Sequence, residues 1–126
     1  MLKYSLKTDA KKSSRAYGRN LRISTKSSII VCRVINGMRL GKAESLLEGL
    51  VSGKRSLKGK HYTKTSGELL GLLKSARSNA DAKGLDADAM IVMASANRGF
   101  RMWTPRRFKL RRTAGRNTNV QMVLRV

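Results

Sequence analysis

The charge balance constrains this chain more than any other feature: 28 lysines and arginines stand against 7 acidic residues among 126, a formal net charge of +21 at pH 7. A compact fold carrying that charge repels itself unless something neutralises it, and a polyanion is the obvious partner. The charge is also unevenly placed. Residues 1–43 hold 11 basic residues and one acid, residues 44–88 hold eight and six, and residues 89–126 hold nine and none. Near-balance is what a solvated helical surface looks like, whereas acid-free blocks repel themselves and meet phosphate. A helical centre flanked by nucleic-acid-facing ends follows. The length fits one domain, 1–126, with a modest core drawn from the 40% of residues that are hydrophobic.

Three amphipathic runs fill the centre. Ile30, Val31, Val34, Ile35 and Met38 fall on one helical stripe, with Ser24 or Thr25 placed to cap its start and Gly37 to stop it. A second helix begins near Lys42 and carries Ala43, Leu46, Leu47, Leu50 and Val51 on one face, ending at Gly53. The third opens with Thr65-Ser66-Gly67-Glu68, the spacing of a capping box in which hydroxyl and carboxylate each satisfy a backbone amide. Leu69, Leu73, Ala76 and Ala80 continue its buried stripe to Gly84. Residues 54–64 are polar and basic and read as a surface loop.

Strand patterns lie outside the helices. Residues 17–23 form a weak strand, with Leu21 and Ile23 on one side and Arg22 on the other, and residues 90–96 are apolar on both faces. In residues 119–126, Val120, Met122, Leu124 and Val126 alternate with Gln121, Val123 and Arg125, the pattern of a half-buried strand. The 22 residues between Ala96 and Asn119 show no helical stripe, and a structureless loop of that length is uncommon in a compact domain. An extended hairpin over 97–118 resolves the difficulty. With about 11 residues per arm at roughly 3.3 Å each it reaches about 36 Å and protrudes. It holds eight cations, no acid, and the aromatics Phe100, Trp103 and Phe108. Alternation of Arg107, Lys109 and Arg111 with Phe108 and Leu110 puts phosphate contacts and base stacking on one ribbon.

Other chemistries find little support. His61 is the single histidine and has no carboxylate near it in sequence, so it reads as exposed or stacked on RNA rather than catalytic. Asp86 and Asp88 lack further ligands at metal-binding spacing and read as turn and helix-end groups. Cys32, the one cysteine, cannot form an internal disulfide and reads as a small buried hydrophobe. Gly37 and Gly41 belong to no phosphate-cradling pattern. No apolar run approaches the roughly 18 residues of a membrane span, and residues 1–12 read as a basic N-terminal arm rather than a cleaved presequence.

Several motifs then carry a resemblance that covers nearly the whole chain. Ala10-Lys11-Lys12-Ser13-Ser14-Arg15-Ala16 with Leu21-Arg22-Ile23-Ser24, Ile35-Asn36-Gly37-Met38 with Lys42-Ala43, and most specifically Leu73-Lys74-Ser75-Ala76-Arg77-Ser78-Asn79-Ala80 with Lys83-Gly84-Leu85-Asp86-Ala87-Asp88 resemble the universal large-subunit ribosomal protein twenty-two family, called L-seventeen in eukaryotes. The Asn-Gly and Lys-Gly-Leu-Asp pieces look closer to its archaeal and eukaryotic branch. The resemblance implies an α+β fold, three helices packed on a small three-stranded antiparallel sheet with a long protruding β-hairpin. It also implies a structural constituent of the large ribosomal subunit in the cytosolic ribosome, its hairpin directed toward the nascent-peptide exit tunnel. Implied partners are large-subunit rRNA, neighbouring large-subunit proteins and the nascent peptide at the hairpin tip.

On this reading Arg15, Arg19, Arg22 and Lys26 contact phosphate near the first strand and helix, and Arg77 and Asn79 touch RNA from the third helix. Arg98, Arg101, Arg106, Arg107, Lys109, Arg111, Arg112 and Arg116 reach deeper rRNA with Phe108, while Trp103 is hairpin packing or a stacking platform. No catalytic residue, metal or cofactor is expected. The alternative is a basic DNA-binding architectural protein, which the charge alone would serve equally well. The spread of cations over both ends suits folded RNA better than a single recognition helix, and a membrane-active helix is a poor fit because the basic ribbon is β-like.

Overall fold

In the computed structural model, which describes residues 4–105 and 112–126, the elements run β1 Ser13–Leu21, α1 Thr25–Ile35, α2 Leu40–Val51, α3 Thr63–Ala82, β2 Ile91–Arg98, β3 Met102–Trp103, β4 Ala114–Gly115 and β5 Thr118–Arg125, with a 3-10 turn at Ala87–Ala89. β1, β5 and β2 pair antiparallel in that spatial order, and β3 pairs with β4 as a separate two-stranded ribbon. Val92, Ala94, Val120, Met122 and Leu124 from the sheet join Val31, Ile35, Leu47, Leu50, Leu69 and Leu73 from the helices in one core. The architecture is α+β, three helices on a three-stranded antiparallel sheet, as the resemblance implies.

The helices are where the periodicity puts them, with rotations and offsets. α1 buries Ser28, Val31, Cys32 and Ile35, so its inward stripe is turned toward Ser28 and Cys32 and leaves Ile30 and Val34 only half-buried. Met38 lies beyond the helix end, past Gly37 at φ +81°. α2 starts at Leu40 rather than Lys42, and Val51, expected inward, is exposed. The capping-box reading of α3 is overturned. The helix begins at Thr63, its N-cap position is Tyr62 with no side-chain cap, and Thr65 and Ser66 lie within it with their side chains buried. A box needs its hydroxyl on an extended residue before the first turn; here the core claims both hydroxyl-bearing residues instead. The remainder of the stripe, Leu69, Leu73, Ala76 and Ala80, is fully buried.

β1 starts four residues ahead of the expected strand, because Ser13 and Ser14 are buried without an apolar signature. The Ser14 hydroxyl donates to the Ala76 carbonyl at 2.7 Å, which is how a serine enters this core at little cost. At the edge of the sheet, side chains of α3 and its C-cap take carbonyls of β1 and of the chain before it: Asn79 Nδ2 donates to Arg15 O at 3.0 Å, and the C-cap Lys83 Nζ to Ser13 O at 2.9 Å and Ala10 O at 3.1 Å. The opposite edge, on β2, is paired by the α1–α2 connection through Gly37 N to Val92 O, Val92 N to Met38 O and Leu40 N to Met90 O. Over residues 90–92 the edge is thereby closed to another strand.

β5 departs from simple alternation at two positions. Val123, expected outward, is buried, and Val126, expected inward, lies beyond the strand and is exposed. The chain ahead of β1 accounts for Val123 by running across the outer face of the sheet. Ser5 N donates to Gln121 Oε1 at 2.9 Å, the Ser5 hydroxyl meets that of Ser95 at 3.2 Å, and the Tyr4 ring sits edge-on to Tyr17 with centroids 6.3 Å apart. Burial raises the Tyr4 phenol above its ordinary pKa against the opposing pull of nearby Arg15.

Candidate nucleic-acid interface

β2 and β5 continue past the sheet into the ribbon. Arg98 faces Thr118 in the sheet, Gly99 N donates to Asn117 O at 2.9 Å, Met102 faces Gly115 and Trp103 faces Ala114, and Thr104 N donates to Thr113 O at 2.9 Å. Between the sheet and the ribbon the register slips by one residue, three residues on one arm (Gly99 to Arg101) opposing two on the other (Arg116 and Asn117). A bulge of this kind bends and twists a strand pair and re-aims its side chains.

Two asparagines lock that bulge. Asn20, at φ +50° in β1's own irregularity, accepts Phe100 N through Oδ1 at 2.8 Å, and its backbone N–H donates to Asn119 Oδ1 at 2.8 Å. Asn tolerates left-handed backbone better than most residues. From the other side Asn117 Nδ2 donates to Phe100 O at 2.9 Å. Both backbone groups of Phe100 are thereby held while its ring is 71% exposed. Gly99 fits because a Cβ there would stand 2.7 Å from Asn20 Oδ1 and 3.1 Å from the Asn117 carbonyl carbon. Trp103, 57% exposed, carries the Arg101 guanidinium 4.7 Å from its ring centroid.

The ribbon root faces the first turn of α1 across a cleft lined by Lys26, Arg98, Arg101, Arg116 and Phe100. The expected cap from Ser24 or Thr25 is not made: Ser24 holds the N-cap position without a side-chain hydrogen bond, and the Thr25 hydroxyl pairs with that of Thr118 at 2.8 Å. No acid occupies that first turn, so the positive end of the helix opens onto the cleft. Among the described residues the ion pairs are those of Arg77, to Glu44 at 2.9 Å and Asp88 at 3.1 Å. None of those pairs involves a cation of the cleft.

The structure thus gathers Lys26, Arg98, Arg101 and Arg116 and separates others from them. Arg15 is engaged internally, its Nη2 donating to Thr8 O at 2.6 Å and its guanidinium lying 5.2 Å from the Tyr4 ring centroid. Arg77 serves two carboxylates and Asn79 serves the sheet edge. Arg19 and Arg22 are exposed on β1 and just after it, away from the cleft lining. Arg112, at φ +61°, is exposed on the returning arm. Arg106, Arg107, Phe108, Lys109, Leu110 and Arg111 lie outside the described residues, and with them the expected alternation along the ribbon.

Other candidates are placed as ordinary structural groups. Asp86 Oδ1 accepts from Asp88 N at 3.3 Å in the 3-10 turn, and His61 Nδ1 meets Arg55 O at 2.8 Å. Cys32 is buried in α1, and burial pushes its thiol up to about 12. No group of three or more His, Cys, Asp or Glu that could hold a metal occurs among the described residues, and no helix there is long and apolar enough to cross a membrane. Sequence reasoning missed Asn20, Gly99, Asn117 and Asn119. The one available signal was the polar run Asn117-Thr118-Asn119 opening an otherwise apolar strand.

Comparison with known proteins finds relatives over most of the chain. Residues 16–125 match the family model described as ribosomal protein L22p/L17e. The "Large ribosomal subunit protein uL22" of Methanococcus aeolicus is 36% identical over 119 residues, covering 79% of this chain and 78% of that protein. Its counterpart in Methanococcus maripaludis is 36% identical over 129 residues, covering 85% and 84%, and that of Methanocaldococcus jannaschii is 30% identical over the same length.

Proposed function

Because the chain belongs to the ribosomal protein L22p/L17e family, we propose that it is a structural constituent of the large ribosomal subunit that binds rRNA through its basic ends and ribbon. It is not an enzyme. Its archaeal relatives are large-subunit proteins by name, which supports a place on the ribosome and, with it, in the cytoplasm. The observation that carries rRNA binding is the ribbon root: four cations without a carboxylate partner, beside two exposed aromatic rings, at the mouth of a helix whose amides are uncapped. Cations neutralise phosphate while aromatic faces accept splayed bases, a pairing suited to folded RNA with unpaired nucleotides. In this reading Arg19, Arg22 and Lys26 extend the phosphate contacts along one side of the body. Arg98 to Arg116 carry them outward toward the nascent-peptide exit tunnel, with the nascent chain met at the tip. Arg15, Arg77 and Asn79 shape the surface through their internal bonds and touch RNA with whatever faces remain free. Neighbouring subunit proteins pack against the body.

The test is sucrose-gradient sedimentation of a cell extract at moderate salt, followed by high-salt stripping, with the chain followed across the fractions. Co-migration with the large subunit through the wash is expected. Recovery with chromatin, or free at the top of the gradient, would instead favour a DNA-binding architectural protein.

A further inference from the structure

We propose that the cleft between the first turn of α1 and the ribbon root is a preformed subsite for one unpaired nucleotide of RNA, its phosphate held by Lys26, Arg98 and Arg116 and its base stacked on Phe100. This rests on the rRNA-binding reading and narrows it to a particular place and mode.

Four independent features converge there. The cleft is open on one side and offers about 640 Å³, within the roughly 300–1,000 Å³ of small-ligand sites. Its cations have no carboxylate partner among the described residues, so their field is spent on whatever enters. The N-terminus of α1, an 11-residue helix, offers amide donors that neither Ser24 nor any first-turn acid satisfies, the arrangement that receives phosphate. Asn117, which lines the same cleft and is only 6% exposed, keeps its Oδ1 without a donor in the free protein. The site is one hydrogen bond short until a hydroxyl or amino group arrives.

Phe100 supplies the stacking face. A large apolar ring left this exposed is ordinarily a mobile surface group, yet its N–H and C=O are both fixed by asparagine side chains. The backbone that carries the ring is therefore anchored beside the phosphate-binding cations. Asn20 is a positioning residue that acts on the nucleotide through Phe100; Asn117 holds Phe100 through Nδ2 and leaves Oδ1 to accept from the nucleotide itself.

The test uses the full-length chain, isotopically labelled, titrated with hexauridylate at low salt while backbone amide shifts are followed; Trp103, the single tryptophan, gives a second readout by fluorescence. Shifts centred on residues 24–28, 99–100 and 116–117 are expected. Phe100→Leu should weaken binding by at least about fivefold, the lower end for one lost stacking contact, and Phe100→Tyr should restore it, with the body's amide fingerprint unchanged in both. Lys26→Gln should reduce the slope of log affinity against log salt by about 0.7, whereas Lys74→Gln on the exposed face of α3 should leave it alone. Shifts centred elsewhere, Phe100→Leu binding like the parent, or an equal response at the cleft to hexaglutamate would each overturn the subsite. If the chain still co-sediments with the large subunit while the subsite fails, only this inference falls. If it does not co-sediment, the broader reading falls first.

Discussion

At Gly99 a single methyl group separates a correctly aimed ribbon from a displaced one. Gly99→Ala would place Cβ against Asn20 Oδ1 and Asn117 backbone, and the backbone has nowhere cheap to go, so a loss of about 1–3 kcal/mol is expected in urea denaturation. Gly71 is the contrasting case: it lies on the exposed side of α3 with nothing within 4 Å of the added Cβ. Gly71→Ala should stabilise the protein by about 0.5–1 kcal/mol through helix propensity and a less free unfolded chain. Cys32 gives a pH-dependent outcome. Its thiol is raised from an ordinary 9.0 to about 12, so above pH 9 the unfolded chain loses its proton first. The thiol's contribution is intact below pH 9 and is lost as pH climbs toward 12, at about 1.4 kcal/mol per unit. Denaturation of the parent and Cys32→Ala at pH 8 and pH 10 checks this, the gap between them narrowing by about that amount at the higher pH.

Among the elements, the ribbon is the one whose removal separates binding from folding. Its strands β3 and β4 share no residue with the core cluster, so replacing residues 100–116 with a short turn should leave a cooperative body that binds rRNA more weakly with a shallower salt dependence. Binding at full strength would remove the ribbon from the function. The bulge at its root also fixes which side each ribbon residue shows. It sets Trp103 opposite Ala114, and deleting Arg101 would restore the sheet's register and turn every later residue of that arm to the other face. The sheet and helices were legible in the sequence because their signal is the periodic burial of Leu, Ile and Val. Three things were not. The start of β1 is carried by buried serines whose partners are in α3. The start of α3 is set by Tyr62 in the left-handed region, a conformation the sequence does not announce. The ribbon clamp is made by asparagines 80 and 17 residues from Phe100, so no local window contains it. The cations were legible as a class, but which of them gather at one cleft and which are taken up by internal partners depends on tertiary placement.

For the whole molecule, the net charge of +21 makes salt act in opposite directions on folding and binding. Screening relieves self-repulsion, so the melting temperature of the free chain should rise as ionic strength is raised from low values, while affinity for rRNA falls steeply over the same range. Calorimetry and filter binding across one salt series check both signs, and a melting temperature that fell with salt would contradict the self-repulsion argument. The order of strands in the sheet carries a consequence in time. β5 lies between β1 and β2 yet is the last of the elements in chain order, and pairs such as Ser13 with Arg125 join residues far apart in sequence. During synthesis, then, β1, β2, α1 and α3 must wait with the surfaces that meet β5 uncovered until the centre of the sheet emerges. Closure is the final event, and long-range closure is slow. By that moment the ribbon has already been made, so its cations are free to engage RNA before the body that anchors them has finished folding.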